Sequence, residues 1–240
     1  MLSVRVGFSM KKLFAGATIV AALVLVPALA AKAAPPVYSW TGCYVGGNAG
    51  AAMAHNSWFD PQLAFYNGAN HSTGGVAGGQ IGCDIQSGNF VFGVQAMADW
   101  ANLKGNHPYT DDPRFTDSNR ASWLATLTGR VGYAVQPAAL IYVKGGAAWA
   151  RNTFTEDCDV SVGAGCPGQA TATRSGWIAG AGFEYRLAPM WSVFVEYNYM
   201  DLGNSTSTLV YTDASTYDYT IRQTTQAVLF GVNYRFGGPR

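Results

Sequence analysis

The stretch AVLFGVNYRF at 227–236 is the part of the sequence that most constrains the fold. Large apolar side chains take every second position of it: Val228, Phe230, Val232, Tyr234 and Phe236. Successive side chains of a β-strand point to opposite faces, so this spacing predicts a strand with one continuous apolar face. Either the rest of the chain or a lipid phase must cover that face.

A period of two also recurs throughout the chain after residue 40. Including the last stretch, it predicts eight strands, near 41–54, 74–85, 90–103, 120–134, 139–152, 173–187, 191–202 and 223–236. Each has at least the roughly 9–11 residues that a tilted strand needs to cross a membrane. Strands of soluble proteins usually stop at about 5–6 residues.

The predicted connections alternate in length. QSGN (86–89), VQPA (135–138) and APM (188–190) read as tight turns, whereas the segments near 55–73, 104–119, 153–172 and 203–222 read as long polar loops. Short turns on one side and long loops on the other are typical of outer-membrane barrels. The sequence therefore predicts an all-β, eight-stranded antiparallel up-and-down transmembrane β-barrel, with short periplasmic turns and long extracellular loops.

The second face of the predicted strands carries glycines and most of the charged groups. This set, predicted to form a charge network inside the barrel, is Asp99, Arg130, Lys144, Glu184, Arg186, Glu196 and Arg235. Charges inside a narrow barrel must be paired, because unpaired burial is costly. An ion path or gate is one interpretation. A salt-bridged plug is favoured, since the side chains of eight strands just fill the interior.

Aromatic residues cluster at both ends of the apolar faces. Two such levels predict the interface girdles of a membrane barrel, formed by Trp100, Trp123, Trp149, Trp177, Trp191, Tyr234 and Phe236. The alternative is a soluble lipocalin-like barrel with apolar groups inside and polar groups outside. The charged residues share a face with the glycines, which favours the membrane barrel.

The start of the chain is typical of an exported protein. Lys11 and Lys12 precede an apolar run, and small residues lie around Ala33, so residues 1–33 are predicted to be a signal peptide cleaved after Ala33. Residues 34–240 would then form one outer-membrane β-barrel domain. Losing four basic residues and no acidic one takes the formal charge from +1 to −3, which excludes a nucleic-acid partner.

Four cysteines in an exported chain predict two disulfides. Three pairings are possible, and proximity in sequence favours Cys158 with Cys166, which leaves Cys43 to pair with Cys83 across neighbouring strands. Neither pair has zinc-ligand spacing, so no metal site is predicted.

The polar loops contain residues with catalytic potential. These are His55 near Ser57, His71 beside Ser72, and His107 near Asp111 and Asp112. Such groups support hydrolysis only in fixed geometry, which polar loops seldom provide. No catalytic residue and no cofactor are predicted, and His55 and His71 remain weak candidates for contact with heme.

Four motifs carry a family resemblance: WTGCYVGGNAG (40–50), GGVAGGQIGC (74–83), VFGVQAMADW (91–100) and FGVNYRFGG (230–238). They resemble the small outer-membrane β-barrel proteins of alphaproteobacteria, which include rhizobial and brucella major surface proteins and bartonella hemin-binding proteins. The resemblance implies an OmpA-like eight-stranded barrel that the barrel assembly machinery inserts through its C-terminal strand. It implies no shared catalytic residue.

The expected function is that of a non-enzymatic structural or surface component of the bacterial outer membrane. A small porin, or a protein that binds heme or a surface ligand, is the alternative. The expected partners are outer-membrane lipid and lipopolysaccharide, the barrel assembly machinery during insertion, and a possible extracellular ligand held by the long loops.

Overall fold

The computed structural model describes residues 38–60, 65–108, 114–158 and 167–236. These residues form eight strands: β1 (Gly42–Asp60), β2 (Phe65–Ser87), β3 (Phe90–Pro108), β4 (Phe115–Gln136), β5 (Ala139–Cys158), β6 (Gly168–Ala188), β7 (Trp191–Val210) and β8 (Thr216–Phe236). Within the described part of the chain, no helix is long and apolar enough to cross a membrane.

The strands close into a barrel in chain order. Each strand pairs antiparallel with the next, and β8 pairs with β1 in a register that sets Cys43 opposite Phe236. Closure gives every strand two neighbours and leaves no free sheet edge. The prediction of an eight-stranded up-and-down barrel is confirmed.

The three short turns lie at one end of this barrel, which we call the periplasmic end. They comprise residues 88–89, 137–138 and 189–190. Gly88 has a φ of 59°, in the left-handed region where glycine is favoured, and this conformation allows β2 to turn directly into β3.

The segments predicted as long loops at the other end are largely strand in the structure. Most residues of the four predicted loop segments are paired in strands, and the connections shrink to 61–64, 109–114, 159–167 and 211–215. For example, His55 pairs with His71 across β1 and β2, inside a segment that was predicted to be a loop. The strands contain 19 to 23 residues instead of about 12 to 15.

The apolar outer surface covers only part of this length. On β3 it runs from Phe90 to Trp100, which are 52% and 79% exposed. At about 3.3 Å per residue and a tilt of about 40°, that span rises about 25 Å, the height of the apolar band of a membrane barrel. The remaining strand length extends the barrel beyond this band, at the end opposite the short turns.

The two sections of the barrel have opposite polarity. In the section with the apolar band, Phe92 and Val94 point outward while Gln95 is buried inside. Beyond the band, Lys104 points outward while Leu103 and Phe154 are buried inside. The first section has the polarity of a membrane barrel, and the second has that of a soluble barrel.

Candidate functional site

A four-membered ionic cluster crosses the interior of the banded section. Arg130 on β4 donates to both oxygens of Asp84, with Nε 2.8 Å from Oδ1, and its Nη1 lies 3.1 Å from Glu184 Oε2. Arg235 on β8 repeats the arrangement, with Nη1 2.8 Å from Asp84 Oδ2 and Nη2 3.0 Å from Glu184 Oε1. Each carboxylate therefore binds both guanidinium groups, and the cluster is neutral.

Aromatic rings cover the flat faces of the two guanidinium groups. The Arg130 guanidinium carbon lies 4.8 Å from the centre of the Tyr44 ring and 5.0 Å from that of Tyr142. Arg235 lies 4.7 Å from Tyr44 and 4.9 Å from the ring of Trp40. These stacked contacts fill the space around the ion pairs and hold the arginines in one orientation.

A second ion pair lies higher in the same section. Lys144 Nζ is 2.6 Å from Glu196 Oε1, and it also donates to Gln95 Oε1 at 3.1 Å. Glu196 accepts further hydrogen bonds from Tyr142 and Asn198, at 2.8 Å and 2.7 Å. The buried Glu196 carboxylate therefore has one ion-pair partner and two hydrogen-bond donors.

Amide side chains connect the remaining carboxylate to the ionic cluster. Asn48 Nδ2 donates to both Asp99 and Gln80 at 2.9 Å, and Gln80 donates to Asn233 at 2.8 Å. Asn233 then donates to Glu184 at 3.0 Å. The result is a continuous hydrogen-bonded chain across the lumen.

Trp40 fills the periplasmic mouth, just before β1 begins. Its side chain is fully buried, and its carbonyl accepts a hydrogen bond from Arg235 Nη1 at 3.2 Å. Arg186 stacks on the same ring at 4.8 Å and donates to Pro189 O at 2.9 Å. With Arg186 included, the banded section contains four buried cations and four buried carboxylates.

The interior beyond the band contains an aromatic cluster. The Trp58 ring meets Phe154 edge-on with 5.4 Å between centroids, and Tyr219, Leu209 and Ile221 pack beside them. Paired amides lie below this cluster, where Asn152 and Gln223 exchange two hydrogen bonds of 2.9 Å and 3.1 Å. Side chains thus cross the lumen at three levels: the Trp40 mouth, the ionic network and the aromatic cluster.

Comparison with known proteins places this closed barrel in a family. The outer membrane protein beta-barrel domain matches residues 18–236. The chain belongs to this family.

Curated relatives and one solved structure agree with this assignment. The chain is 29% identical to the 31 kDa outer-membrane immunogenic protein of Brucella melitensis, over 95% of this chain and 97% of the relative. It is 27% identical to the 25 kDa outer-membrane immunogenic protein of Brucella abortus, over 84% and 81%. The outer membrane protein OprG of Pseudomonas aeruginosa shares the fold, with a TM-score of 0.53 and 14% identity over 82% of this chain and 97% of that chain.

As a member of this family, the chain is an outer-membrane β-barrel protein whose apolar band is embedded in lipid. The residues predicted to form the girdles lie on the outer surface. Trp100, Trp177, Trp191, Tyr234 and Phe236 are exposed, and Trp123 and Trp149 are half-buried. Trp100 pairs directly with Trp123 on β4, and the Trp191 and Tyr234 rings meet at 5.1 Å.

The disulfide between Cys43 and Cys83 is present. The two residues are direct partners across β1 and β2, near the periplasmic end. Cys158 ends β5, but Cys166 lies outside the described residues, so the second predicted pairing stays a prediction. Ala33, the predicted cleavage point, also lies outside the described residues.

All seven residues predicted to form the interior charge network are buried. The structure divides them among the four-membered cluster, the Lys144–Glu196 pair, the amide-linked Asp99 and the Arg186 contact with Trp40. Asp84, which binds both arginines of the cluster, was missed by the sequence interpretation. The alternation of outward Cys83 and Ile85 with inward Gly82 and Asp84 would have identified it.

The outer surface beyond the band, which we call the collar, is uneven in charge. On its β3–β6 side, Lys104 lies opposite Arg120, and Arg151 is also exposed. None of the three has a carboxylate partner among the described residues. We call these three residues the basic patch. A surface cavity of about 580 Å³ adjoins Lys104 and Arg120, lined otherwise by residues such as Asn106, Ser118 and Thr155.

On the β7–β8 side of the collar, the exposed arginine is paired. Arg222, exposed there, lies 3.5 Å from Asp201, and Asp218 accepts a hydrogen bond from Thr208 at 2.6 Å. Inside the collar, burial lowers the pKa of Arg174 to about 10. That guanidinium stacks on Phe154 at 5.7 Å and donates to Ser205 O at 3.3 Å.

The histidines predicted as heme candidates lie together on the collar. The ring centres of His55 and His71 are 4.6 Å apart. Burial and, to a lesser degree, the His71 ring lower the pKa of His55. Two imidazoles on opposite sides of a heme iron need roughly 6 Å between ring centres, so this spacing leaves no room for a porphyrin between the rings. His107 lies on β3.

Proposed function

We propose that this protein is a non-enzymatic structural and surface component of the outer membrane, with a lumen that does not conduct. The observation that carries the proposal is the ionic cluster of Arg130, Arg235, Asp84 and Glu184, which joins opposite walls of the barrel. Trp40 below it and the aromatic cluster above it add two further barriers. These obstructions favour a scaffold over a small porin.

Planar-bilayer recording of the refolded barrel tests this proposal. We expect no steady single-channel steps, whereas a general porin reconstituted in the same bilayer serves as the conducting control. Liposome swelling with small sugars should likewise match protein-free vesicles. Regular, solute-selective current steps from protein that is folded, as shown by its heat-modifiable mobility, would contradict the scaffold function and support a porin.

The collar residues support the absence of catalysis. His55 Nε2 lies 3.3 Å from Ser57 Oγ, but within the described residues no carboxylate hydrogen-bonds to the His55 ring. Hydrolytic serine–histidine pairs use a third group to orient the base. Detergent-refolded protein should therefore release no product from phospholipid or peptide substrates. Hydrolysis that disappears in Ser57→Ala would overturn this expectation.

We also propose that the basic patch binds the phosphate groups of lipopolysaccharide in the outer leaflet. Lys104 and Arg120 are directly opposite each other across β3 and β4, where like charges repel unless an anion lies between them. Arg151 is two residues beyond Trp149, so it lies just above the aromatic level at the membrane surface. Phosphorylated lipid head groups occupy that level.

Lipid A binding to the refolded barrel tests the patch. Replacing Lys104, Arg120 and Arg151 together by glutamine should lower affinity at least tenfold and reduce its salt dependence. Arg222→Gln is the matched control, because that arginine is exposed on the same collar but is paired with Asp201. Equal loss in the control, or equal binding of dephosphorylated lipid A, would contradict the proposal.

Export and insertion complete the proposed function. We expect residues 1–33 to be removed, so N-terminal sequencing of protein from outer membranes should begin at Ala34. The barrel assembly machinery is expected to recognise β8, which exposes Phe236 on its lipid face. Phe236→Ala should slow assembly, seen as more unfolded, protease-sensitive protein in a pulse-chase experiment. An unchanged assembly rate would show that Phe236 is not needed for recognition by the assembly machinery.

A further inference from the structure

The two collar histidines form a cross-strand pair. His55 on β1 and His71 on β2 are direct partners in the register, and both alternate with inward residues such as Asn56 and Ser72. Their ring centres are 4.6 Å apart with 41° between the ring planes. The pair thus lies on the outer surface, beyond the lipid-embedded band.

One ring nitrogen of this pair lacks a hydrogen-bond partner. His55 Nε2 lies 3.3 Å from Ser57 Oγ, whereas His55 Nδ1 is buried and makes no hydrogen bond. In the tautomer in which Nε2–H donates to Ser57, Nδ1 carries a free lone pair. Histidines that bind metals commonly donate their second N–H in this way, which fixes the tautomer and the ring orientation.

The ring spacing matches two imidazoles bound side by side to one metal ion. With metal–nitrogen bonds of about 2.0–2.1 Å and an angle of about 90–110° at the metal, the ring centres lie about 4.5–5.2 Å apart. The observed 4.6 Å falls in this range. His71 is exposed, so its ring can turn toward an arriving ion.

The charged side chains near the pair are Arg222, which is paired with Asp201, and Lys104, which lies on β3 opposite Thr73. Thr224, opposite His55 on β8, is neutral. No group of three or more histidine, cysteine or acidic side chains close enough to hold a metal ion occurs among the described residues. A metal ion here would therefore have two protein ligands and complete its coordination with water.

We propose that His55 and His71 bind one divalent transition-metal ion at the extracellular surface, with Ser57 as the positioning residue. Imidazole ligands suit Cu²⁺, Ni²⁺ and Zn²⁺, and Cu²⁺ gives the highest affinity of these at a nitrogen site. The ion would join β1 to β2 at the end opposite the Cys43–Cys83 disulfide. Its open coordination positions would face the outside of the cell.

Titration of tag-free, refolded protein with Cu²⁺ tests this site. Calorimetry should give one ion per barrel, and the electron paramagnetic resonance spectrum should show two imidazole nitrogens. His55→Ala and His71→Ala should each lower the affinity at least about tenfold, and Ser57→Ala should lower it less. His107→Ala, which removes the third histidine of the chain, is the matched control and should bind like the wild type.

Heat-modifiable gel mobility will verify that every variant is folded. His55, Ser57 and His71 face outward, so their variants should still fold. Unchanged affinity in His71→Ala, loss of binding in His107→Ala, or a spectrum with one imidazole would each overturn the proposal. Copper-dependent dimerisation of the barrel in micelles would also overturn it, because the ion would then bridge two chains. None of these outcomes affects the conductance or lipid A experiments.

Discussion

The banded section and the collar are made from the same eight strands, yet they obtain stability in different ways. In the banded section the interior is ionic, with Glu184 fully buried between Arg130 and Arg235. In the collar the interior is largely aromatic and amide-lined, with Trp58 packed on Phe154. The outer surfaces show the reverse difference. The outside of the banded section is apolar and faces lipid, whereas the outside of the collar carries threonine, histidine and arginine.

The difference follows from the solvent on each side of the wall. Lipid around the banded section covers apolar groups without any help from the chain, so apolar side chains need not point inward. Water around the collar makes inward apolar burial favourable again. The polarity of the lumen therefore reports where the membrane ends, and the change occurs near Trp100 on β3.

Loss of one charge from the ionic cluster should cause the largest decrease in the free energy of unfolding. Glu184→Gln leaves two buried arginines with one shared carboxylate, and unpaired buried charge typically costs about 3–5 kcal/mol. Urea unfolding in detergent micelles should show this loss in the free energy of unfolding. Glu156→Gln, at a buried carboxylate inside the collar that accepts a hydrogen bond from Tyr211 at 2.8 Å, is the control and should cost less, because glutamine can still accept that bond. Equal costs would mean that the two sections are not distinct.

Disrupting the aromatic cluster should cause the second-largest decrease in the free energy of unfolding. Phe154→Ala creates a cavity beside Trp58, and such substitutions cost about 3–5 kcal/mol in compact cores. We expect about 3 kcal/mol here, confined to the collar, because the ionic cluster below is untouched. Hydrogen exchange should quicken at the collar ends of β1, β5 and β8 and stay slow around Arg130. Uniform quickening would show that the barrel opens as one unit.

The disulfide should contribute less than either interior cluster. It closes a sequence separation of 40 residues, and the paired substitution Cys43→Ser with Cys83→Ser should lower the free energy of unfolding by about 2–3 kcal/mol. Reduced wild-type protein should show the same loss in urea unfolding. A loss seen only with the serine variant would assign the effect to packing on the lipid face.

Protonation of His55 should give the smallest change in stability. The pKa of His55 is lowered in the folded protein, mainly by burial, so the folded state binds fewer protons than the unfolded state below about pH 6.5. Stability at the collar end of β1 and β2 is complete above that pH and is lost as the pH falls. Hydrogen exchange, corrected for intrinsic rates, should quicken there between pH 7 and pH 5. His71→Gln should weaken this response.

The sequence was sufficient to predict the banded section because its alternation is strong. Val228 to Phe236 read as a strand from side-chain size alone, and the Cys43–Cys83 pairing followed once Cys158 was assigned to Cys166. The collar escaped prediction because its outward residues are polar, so the same period of two resembled loop composition. The β-branched residues Thr171, Thr206 and Thr208 were the available signal for strands there.

The sequence identified which charged residues point into the lumen, but not which of them contact each other. Alternation placed Arg130 and Glu184 on the inner face, but it carries no information about which cation meets which carboxylate. That choice depends on barrel stagger, which sets the heights of side chains from non-adjacent strands. Trp40 precedes the first strand and has no alternation of its own, so its insertion into the mouth had no signal in the sequence.

The seam between β8 and β1 has a consequence for the order of folding. Arg235, one residue before the end of β8, supplies half of the positive charge that neutralises Asp84 and Glu184, and it also binds the Trp40 carbonyl. A chain lacking its last strand would carry a surplus of negative charge, which lipid disfavours strongly. Contacts between residues so distant in sequence also form slowly. Insertion into lipid should therefore be coupled to closure of the seam, and an unfinished barrel should remain outside the bilayer.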